Sequence, residues 1–464
     1  MASAITAPTY DPTTTAAALA EKYTAPRQQI LDAQSKTATA TEAGLTSLTS
    51  ALSAFQTSLA GLASTGKTVY AQSAVFGDTG IGSATAGPTA AAGSYSFFVS
   101  KLAAASQVSY TGLSDISNPA GILKIQMNGK DAFEIDLAEA NADGGKFLTM
   151  RELAAAINSA SGNAGKLTAS IVTTGDTTEL VLTAKETGLA SAISLDTDGI
   201  DQASSLAEAN NDDTRNRILV KAQDAEIRVG SETGTAIIQA SNTFTNIDGV
   251  KMTFTKAQAS GAAPVTLTVG PDNAGTTANV QAFVDAFNKL KAALNKLTDP
   301  GDPSKGVSGG VFSHDGGVRA LNNRLTALLR PGGDVSLASF GIVATREGTL
   351  ELNTTRLMAQ LARDPNGLDG LLGSASKTAP TGIAGSLETY LSSWSNSVDG
   401  QIKLRKEATS DLQSALVTRQ ATLDQQYDSA YQRYLLQFTQ LQTLQSSMTT
   451  NLTLFDALFG NDKD

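Results

Sequence analysis

Six apolar residues near the N-terminus, Leu45, Leu48, Leu52, Phe55, Leu59 and Leu62, are spaced by steps of 3, 4, 3, 4 and 3. That spacing lays them along one stripe of an α-helix, and a stripe of this kind has to be covered by another helix. The same steps recur at Val280, Phe283, Phe287, Leu290, Leu294 and Leu297. From Ser386 to Phe459 there is one internal glycine, Gly400, and no proline. Here Leu387, Leu391, Trp394, Val398 and Ile402 read as one apolar stripe. Leu412, Leu416, Leu423, Tyr427, Tyr434, Phe438, Leu441, Met448, Leu452, Phe455 and Phe459 continue it with one or two phase slips. Each of the three stretches alone would expose a long apolar strip to water, so the two ends of the chain are expected to meet in one helical base. Leu45 to Leu62 are expected to pack against Phe283, Phe287, Leu290 and Leu294, and against part of the C-terminal helix.

Residues 13–65 are rich in Ala, Thr, Ser and Leu. Pro26 falls early there, where a helix start or restart tolerates it, and Gly66 is placed to end the helix. A further helix is expected from about Gly317 to Arg330, stopping at Pro331. The C-terminal helix is flanked by Gln, Ser and Thr more often than by charges. Such a face suits a helix packed against many neighbours, or one that orders only on assembly. An intramolecular coiled coil between the two ends is the plainer reading, and both can hold.

The middle, about 67–275, has the alternating and β-branched character of strands: TVYAQSAVF, SYSFFVSKLA, GILKIQMNGKDAFEIDL, KLTASIVTTG, TELVLTAKE, AEIRVG, NTFTNIDGVKMTFTKA and PVTLTVG. One clear helix, Thr149 to Ser159, interrupts the run. Short connections favour antiparallel sheets. The expected class is α+β and multidomain, a coiled-coil base built from the terminal segments with antiparallel β-rich domains inserted. The length of 464 residues suits about three domains.

Composition narrows the chemistry. Lys plus Arg is 34 and Asp plus Glu is 44, a net charge of −10 that argues against nucleic acid as a partner. There is no cysteine and one histidine, His314. Disulfides, Cys-ligated metals, Cys nucleophiles and a two-histidine zinc site are excluded. No stretch reaches the length of a membrane span. The N-terminus lacks the basic and apolar regions of a cleaved signal, which leaves a cytoplasmic protein or one exported by another route.

Three motifs suggest chemistry on paper. Residues 61–68, GLASTGKT, match the Walker A pattern. A phosphate loop needs a strand before it and a helix after it; here a heptad helix precedes it and a strand-like run follows, so phosphates would face the negative end of a helix dipole. Residues 306–310, GVSGG, fit the nucleophile-elbow pattern, but PGDPSK precedes them instead of a buried strand, and His314 lies in the same loop. Asp196, Asp198 and Asp201 resemble the start of a calcium loop, with Gly199 at the wrong position. All three read as turns or connectors. No catalytic residue, cofactor or metal ligand is expected.

Several segments carry a family resemblance. NTFTNIDGVKMTF, then TLTVGPDN, then VQAFVDAFNKLKAALNKLT resembles the signature of the flagellar filament cap family, hook-associated protein 2. VFSHDGGVRALNNRLTALL followed by LASFGIVATREGTLELNTTRL does so too. ILKIQMNGKDAFEIDL with FLTMRELAAAIN and LVLTAKETG is similar to the IN-type module of flagellins and hook-associated proteins. The resemblance implies a ring of identical copies at the filament tip, exported through the flagellar secretion apparatus without a cleaved signal. Implied partners are flagellin, hook-associated junction proteins and an export chaperone, with no nucleic acid and no membrane insertion. The β domains would form a head plate, and the terminal helices legs that reach into the filament.

In those terms residues 1–40 are an N-terminal leg segment that orders on assembly, and 41–66 with 276–429 form the leg domain. Residues 67–112 with 220–275 form an inner head domain, 113–219 an outer head domain with the IN-type module, and 430–464 a C-terminal leg segment. Tyr427, Tyr434, Phe438, Leu441, Met448, Leu452, Phe455 and Phe459 are the expected filament or self-assembly contacts. Two other readings stay open: a hook–filament junction protein or flagellin-like subunit, and, of another class, a P-loop protein using Lys67.

Overall fold

A computed structural model describes residues 11–64, 66–175, 177–330 and 336–459. The chain divides into two compact units. One takes in the chain up to Val69 and from Thr277 onward, and the other is Tyr70–Thr276.

The first unit is helical. Its N-terminal helix runs Pro12–Leu62, capped by Asp11, whose carboxylate accepts the N–H groups of Thr13 and Thr14. Bonds from the Thr13 and Thr14 hydroxyls, with those N–H bonds behind them, hold the Asp11 carboxyl down at about 2. Pro26 lies inside this helix and not at a start. A proline removes one N–H, and here the helix continues because it lies along the C-terminal helix, Gln401–Phe459, which supplies the packing. The helix also stops before Gly66: Ala63 is its cap and donates to Leu59 O, while Gly66 turns the chain afterwards with φ of +77°.

The two long helices are antiparallel. Arg27 donates to Gln426, Gln28 and Gln420 exchange amide bonds at 3.0 and 2.8 Å, and Gln413 donates to Glu42. Between them in sequence lie Asn273–Thr298, Gly316–Leu328, Thr354–Leu361, Gly367–Leu372 and Gly382–Ser395, with a small hairpin of Ile342–Ala344 and Leu350–Leu352. The stripe read as continuous from Leu387 to Ile402 breaks after Ser395. The chain turns through Asn396–Gly400, and Val398 is left exposed while Trp394 and Ile402 are buried.

The sheets described in the second unit are all antiparallel, and they enclose two hydrophobic cores. In the first core a five-stranded sheet has the order 72–76, 265–271, 93–101, 225–229, 236–239. It faces a three-stranded sheet ordered 243–247, 250–254, 82–86. Phe76, Phe97, Phe244 and Phe254 pack between them. The second core lies under a four-stranded sheet ordered 216–220, 107–110, 177–184, 167–174 and a three-stranded one ordered 193–196, 122–127, 130–136.

The expected helix is present as Met150–Ser159. Thr149 and Glu152 form a reciprocal capping box at its start. Short helices Leu137–Ala140 and Ser205–Asn210, too brief to show a period, join it. The division expected between residues 112 and 113 falls inside this second core. Val108 and Tyr110 are buried there, and their strand pairs with both 177–184 and 216–220. Burial drives the Tyr110 hydroxyl pKa upward.

Candidate functional site

The residues expected to hold the helical unit together are placed as follows. Leu45, Leu48, Leu52, Phe55 and Leu59 are buried, and so are Phe283, Phe287, Leu290 and Leu294. The ring of Phe55 meets Phe287 edge-on. Leu62, the last residue of its helix, is only half-buried. The loop after residue 298 folds back on the N-terminal helix at Gly44. A Cβ there would come within 2.5 Å of Val311, so a glycine is tolerated in mid-helix although it costs about 1 kcal/mol of helix propensity.

Two polar clusters in this unit were missed by sequence reading. Arg405 donates twice to Asp315, at 2.5 and 3.2 Å, and its guanidinium lies over the Trp394 ring, 5.3 Å from the centroid. Burial alone would raise the Asp315 pKa. The Arg405 bonds and charge, with the N–H groups of Val318 and Gly317, outweigh it and hold the carboxyl below its usual value. Lys291 is buried, and among the described residues no carboxylate pairs with it. Its ammonium donates to Asn322 O and Oδ1 and to Thr326 Oγ1, and burial depresses its pKa.

The expected assembly residues form a gradient along the C-terminal helix. Tyr427, Tyr434 and Phe438 are half-buried, whereas Leu441, Met448, Leu452 and Phe455 are exposed. The side chain of Phe459 lies outside the described residues. From Ser446 onward every described side chain of this helix is exposed. Leu436, Leu444, Leu454 and Leu458 add to the uncovered apolar surface. Asp456 is the only charged residue between Tyr434 and Phe459. A free helix would be expected to carry charges on such a surface; this one presents leucines among amides and hydroxyls.

The paper motifs fall where no chemistry is assembled. The 61–68 stretch begins in the last turn of the N-terminal helix, and Lys67 is exposed beyond it. Residues 306–310 lie in the connector between two helices, where Val307 and Asp302 bridge, and His314 is exposed. The run from Asp196 to Asp201 is a turn held by a bond from Asp198 N–H to Asp196. Among the described residues no group of three or more His, Cys, Asp or Glu could hold a metal ion, and no helix is long and apolar enough to cross a membrane.

Comparison with known proteins adds an independent line. Residues 9–106 match the family model of the flagellar hook-associated protein 2 N-terminus, and residues 222–450 that of its C-terminus. The matched stretches stop and resume at the two links to the second β core. The chain is 32% identical over 381 residues to the lateral flagellar hook-associated protein 2 of Vibrio parahaemolyticus, covering 80% of this chain and 82% of that one. It is 28% identical over 436 residues to flagellar hook-associated protein 2 of Escherichia coli, covering 90% and 89%. The crystal structure of the D1-D2-D3 domains of the Escherichia coli flagellar cap protein FliD superposes with a TM-score of 0.58 at 26% identity, over 79% of this chain and 99% of that one. Two matched models flanking an inserted β core, and a relative aligned over most of both lengths, place the chain in the flagellar hook-associated protein 2 family.

Proposed function

We propose that this protein is a structural assembly factor that caps the distal end of a bacterial flagellar filament, retains exported flagellin, and promotes its folding and insertion. It works outside the cell as a ring of identical copies, after export through the flagellar secretion apparatus without a cleaved signal. An export chaperone covers its apolar end beforehand, and hook-associated junction proteins form the base on which the first ring rests. The Tyr70–Thr276 unit supplies the head, and the helical unit the leg. Residues 1–40 and 430–464 are the parts of the leg that engage the filament. No bond is made or broken; the work is containment and templating.

One observation carries this reading beyond family membership: the C-terminal helix extends past its last buried residue, Ala430, as a nearly uncharged helix bearing exposed Leu441, Met448, Leu452 and Phe455. Such a surface calls for a covering partner. A growing filament of helical subunits offers one.

Electron microscopy of filaments from cells carrying an epitope in the Tyr70–Thr276 unit tests it. Label confined to the tips, with unpolymerised flagellin released into the medium when the gene is deleted, is the expected result. Label along the whole filament would make the chain a filament subunit, and label at the hook a junction protein; either would end the cap reading.

A further inference from the structure

Strand edges in this protein are repeatedly closed by asparagine. Asn158 donates to Ala169 O and accepts from Ala169 N–H, both at 2.8 Å. Asn163 does the same for Leu167 at 3.0 Å, so the outer edge of the 167–174 strand is sealed at these positions. Asn242 brackets Ala103, and Asn288 brackets Leu350, in the same two-bond manner. An open edge offers unpaired N–H and C=O groups to any extended chain, and a carboxamide both donates and accepts, so one asparagine satisfies one edge residue.

The opposite edge of that same four-stranded sheet is left open. Asn216–Val220 pairs with Gln107–Tyr110 on one side, and among the described residues no side chain caps the backbone of 217–220. Three consecutive aliphatic residues stand exposed on it: Ile218 at 65%, Leu219 at 47% and Val220 at 41%. A second open edge is Ala236–Gln239, the last strand of the five-stranded sheet, with Ile238 at 62%. Both edges belong to the same compact unit.

We propose that these two edges join successive copies of the chain, the 216–220 strand of one copy pairing antiparallel with the 236–239 strand of the next. The inference rests on the ring reading above. Closing a ring takes two different patches per copy, in a head-to-tail contact, and these two edges, each carrying exposed aliphatic side chains, make such a pair.

Charge selects the partner and its direction. Antiparallel pairing brings Lys221, just after the first strand, toward the turn before Ala236, where Glu232 stands. Glu232 is held in its charged form by bonds from the Ser260 hydroxyl and the Gly261 N–H. Parallel pairing would carry Lys221 to the other end of that strand. Two 216–220 strands paired with each other in antiparallel fashion bring Lys221 toward Arg217, whose guanidinium is already paired with Glu179, so that pairing gains Lys221 no opposite charge. An edge of this length buries less than a standard interface, so the contact is weak between two copies and is secured by ring closure.

The absence of cysteine makes the test clean. Full-length Ile218→Cys, Leu219→Cys and Ile238→Cys alter exposed side chains only. Ile238→Cys is mixed with each of the other two at a concentration where native mass shows the unaltered chain to be oligomeric. The mixtures are then oxidised and read on a non-reducing gel. Neighbouring strands place facing Cβ atoms near disulfide range, so one mixture should give at least about tenfold more crosslinked dimer than any variant alone. Crosslinking of Ile218→Cys or Leu219→Cys with itself would overturn the proposal in favour of self-pairing edges. No crosslink in either mixture, with the unaltered chain still oligomeric, would overturn the edge pairing and leave the ring standing. A chain that is monomeric at every concentration would remove the ring reading itself, and the pairing with it.

Discussion

The rings of Phe55 and Phe287 meet edge to face, 6.1 Å between centroids and 72° between planes, and so tie the N-terminal seam to a helix more than two hundred residues later in the sequence. Both side chains are essentially inaccessible to water. Phe287→Ala should therefore cost about 3–5 kcal/mol, and Leu52→Ala about 2–5 kcal/mol. A Phe55/Phe287 double-mutant cycle should show coupling of at least about 0.5 kcal/mol. The single tryptophan, Trp394, lies in this helical unit, so its fluorescence follows the unit's unfolding with no contribution from the β-rich unit. Additive effects at the two phenylalanines would show that the ring contact has no energetic meaning.

Arg405 and Asp315 give the helical unit an acid limb. The folded Asp315 carboxyl titrates below its unfolded value of 3.8, so its contribution is fully present above that pH and is lost as pH falls through the lower folded value. The Trp394 melting midpoint should drop on acidification below about pH 4, and Arg405→Met should flatten that drop. At neutral pH the same substitution should cost about 1–2 kcal/mol, since the pair is partly exposed. An unchanged acid limb in Arg405→Met would assign it to other carboxylates.

Asn163 is almost wholly buried, and its amide serves Ile157 O together with both backbone groups of Leu167. Asn163→Ala strands those groups, at roughly 1–3 kcal/mol for each one left unsatisfied. The loss should appear in the β-rich unit's thermal transition by far-UV circular dichroism, with the Trp394 signal unmoved. Asn163→Asp, which sets a buried carboxylate oxygen against the Ile157 and Leu167 carbonyls, should cost at least as much as Asn163→Ala at neutral pH. Equal melts for all three proteins would mean water replaces the amide.

Removing residues 440–464 takes away no buried side chain among those described, because the last such residue is Ala430. The Trp394 melt should stay within about 0.5 kcal/mol of the full chain while filament capping is lost. A melt that falls with the truncation would mean this segment stabilises the isolated subunit.

Lys67→Ala should change neither stability, beyond about 0.5 kcal/mol, nor assembly, since the side chain is exposed past a helix C-terminus. Calorimetric titration with ATP should give no heat of binding to either protein. A saturable site lost on substitution would revive the phosphate-loop reading.

What the sequence made legible followed from periodicity. The 3-4 stepping marked Leu45 to Leu59 and Phe283 to Leu294, and every one of those residues is buried. Periodicity failed where an element ends or a side chain acts alone. Leu62 keeps the spacing but sits at the helix terminus, and Val398 keeps it through a stretch that is not helix. Pro26 carries a strong local rule that tertiary packing overrides. The strand at 216–220 is five residues of an edge, without the alternation that marks a half-buried strand. The asparagine seals depend on which strand ends at which edge, and topology is invisible to a residue-by-residue reading.

The reciprocal amide bonds between Gln28 and Gln420 join positions 392 residues apart, and this separation fixes an order of events. A chain that emerges end first, from a ribosome or from any narrow channel, releases one long helix hundreds of residues before the other. The Tyr70–Thr276 unit draws on contiguous sequence and can close as soon as it is out, whereas the helical unit must bring its first segment back to its last. The helix that begins at Pro12 therefore spends most of that interval without its partner, and the low charge and small side chains of its first turns are what such a waiting segment carries.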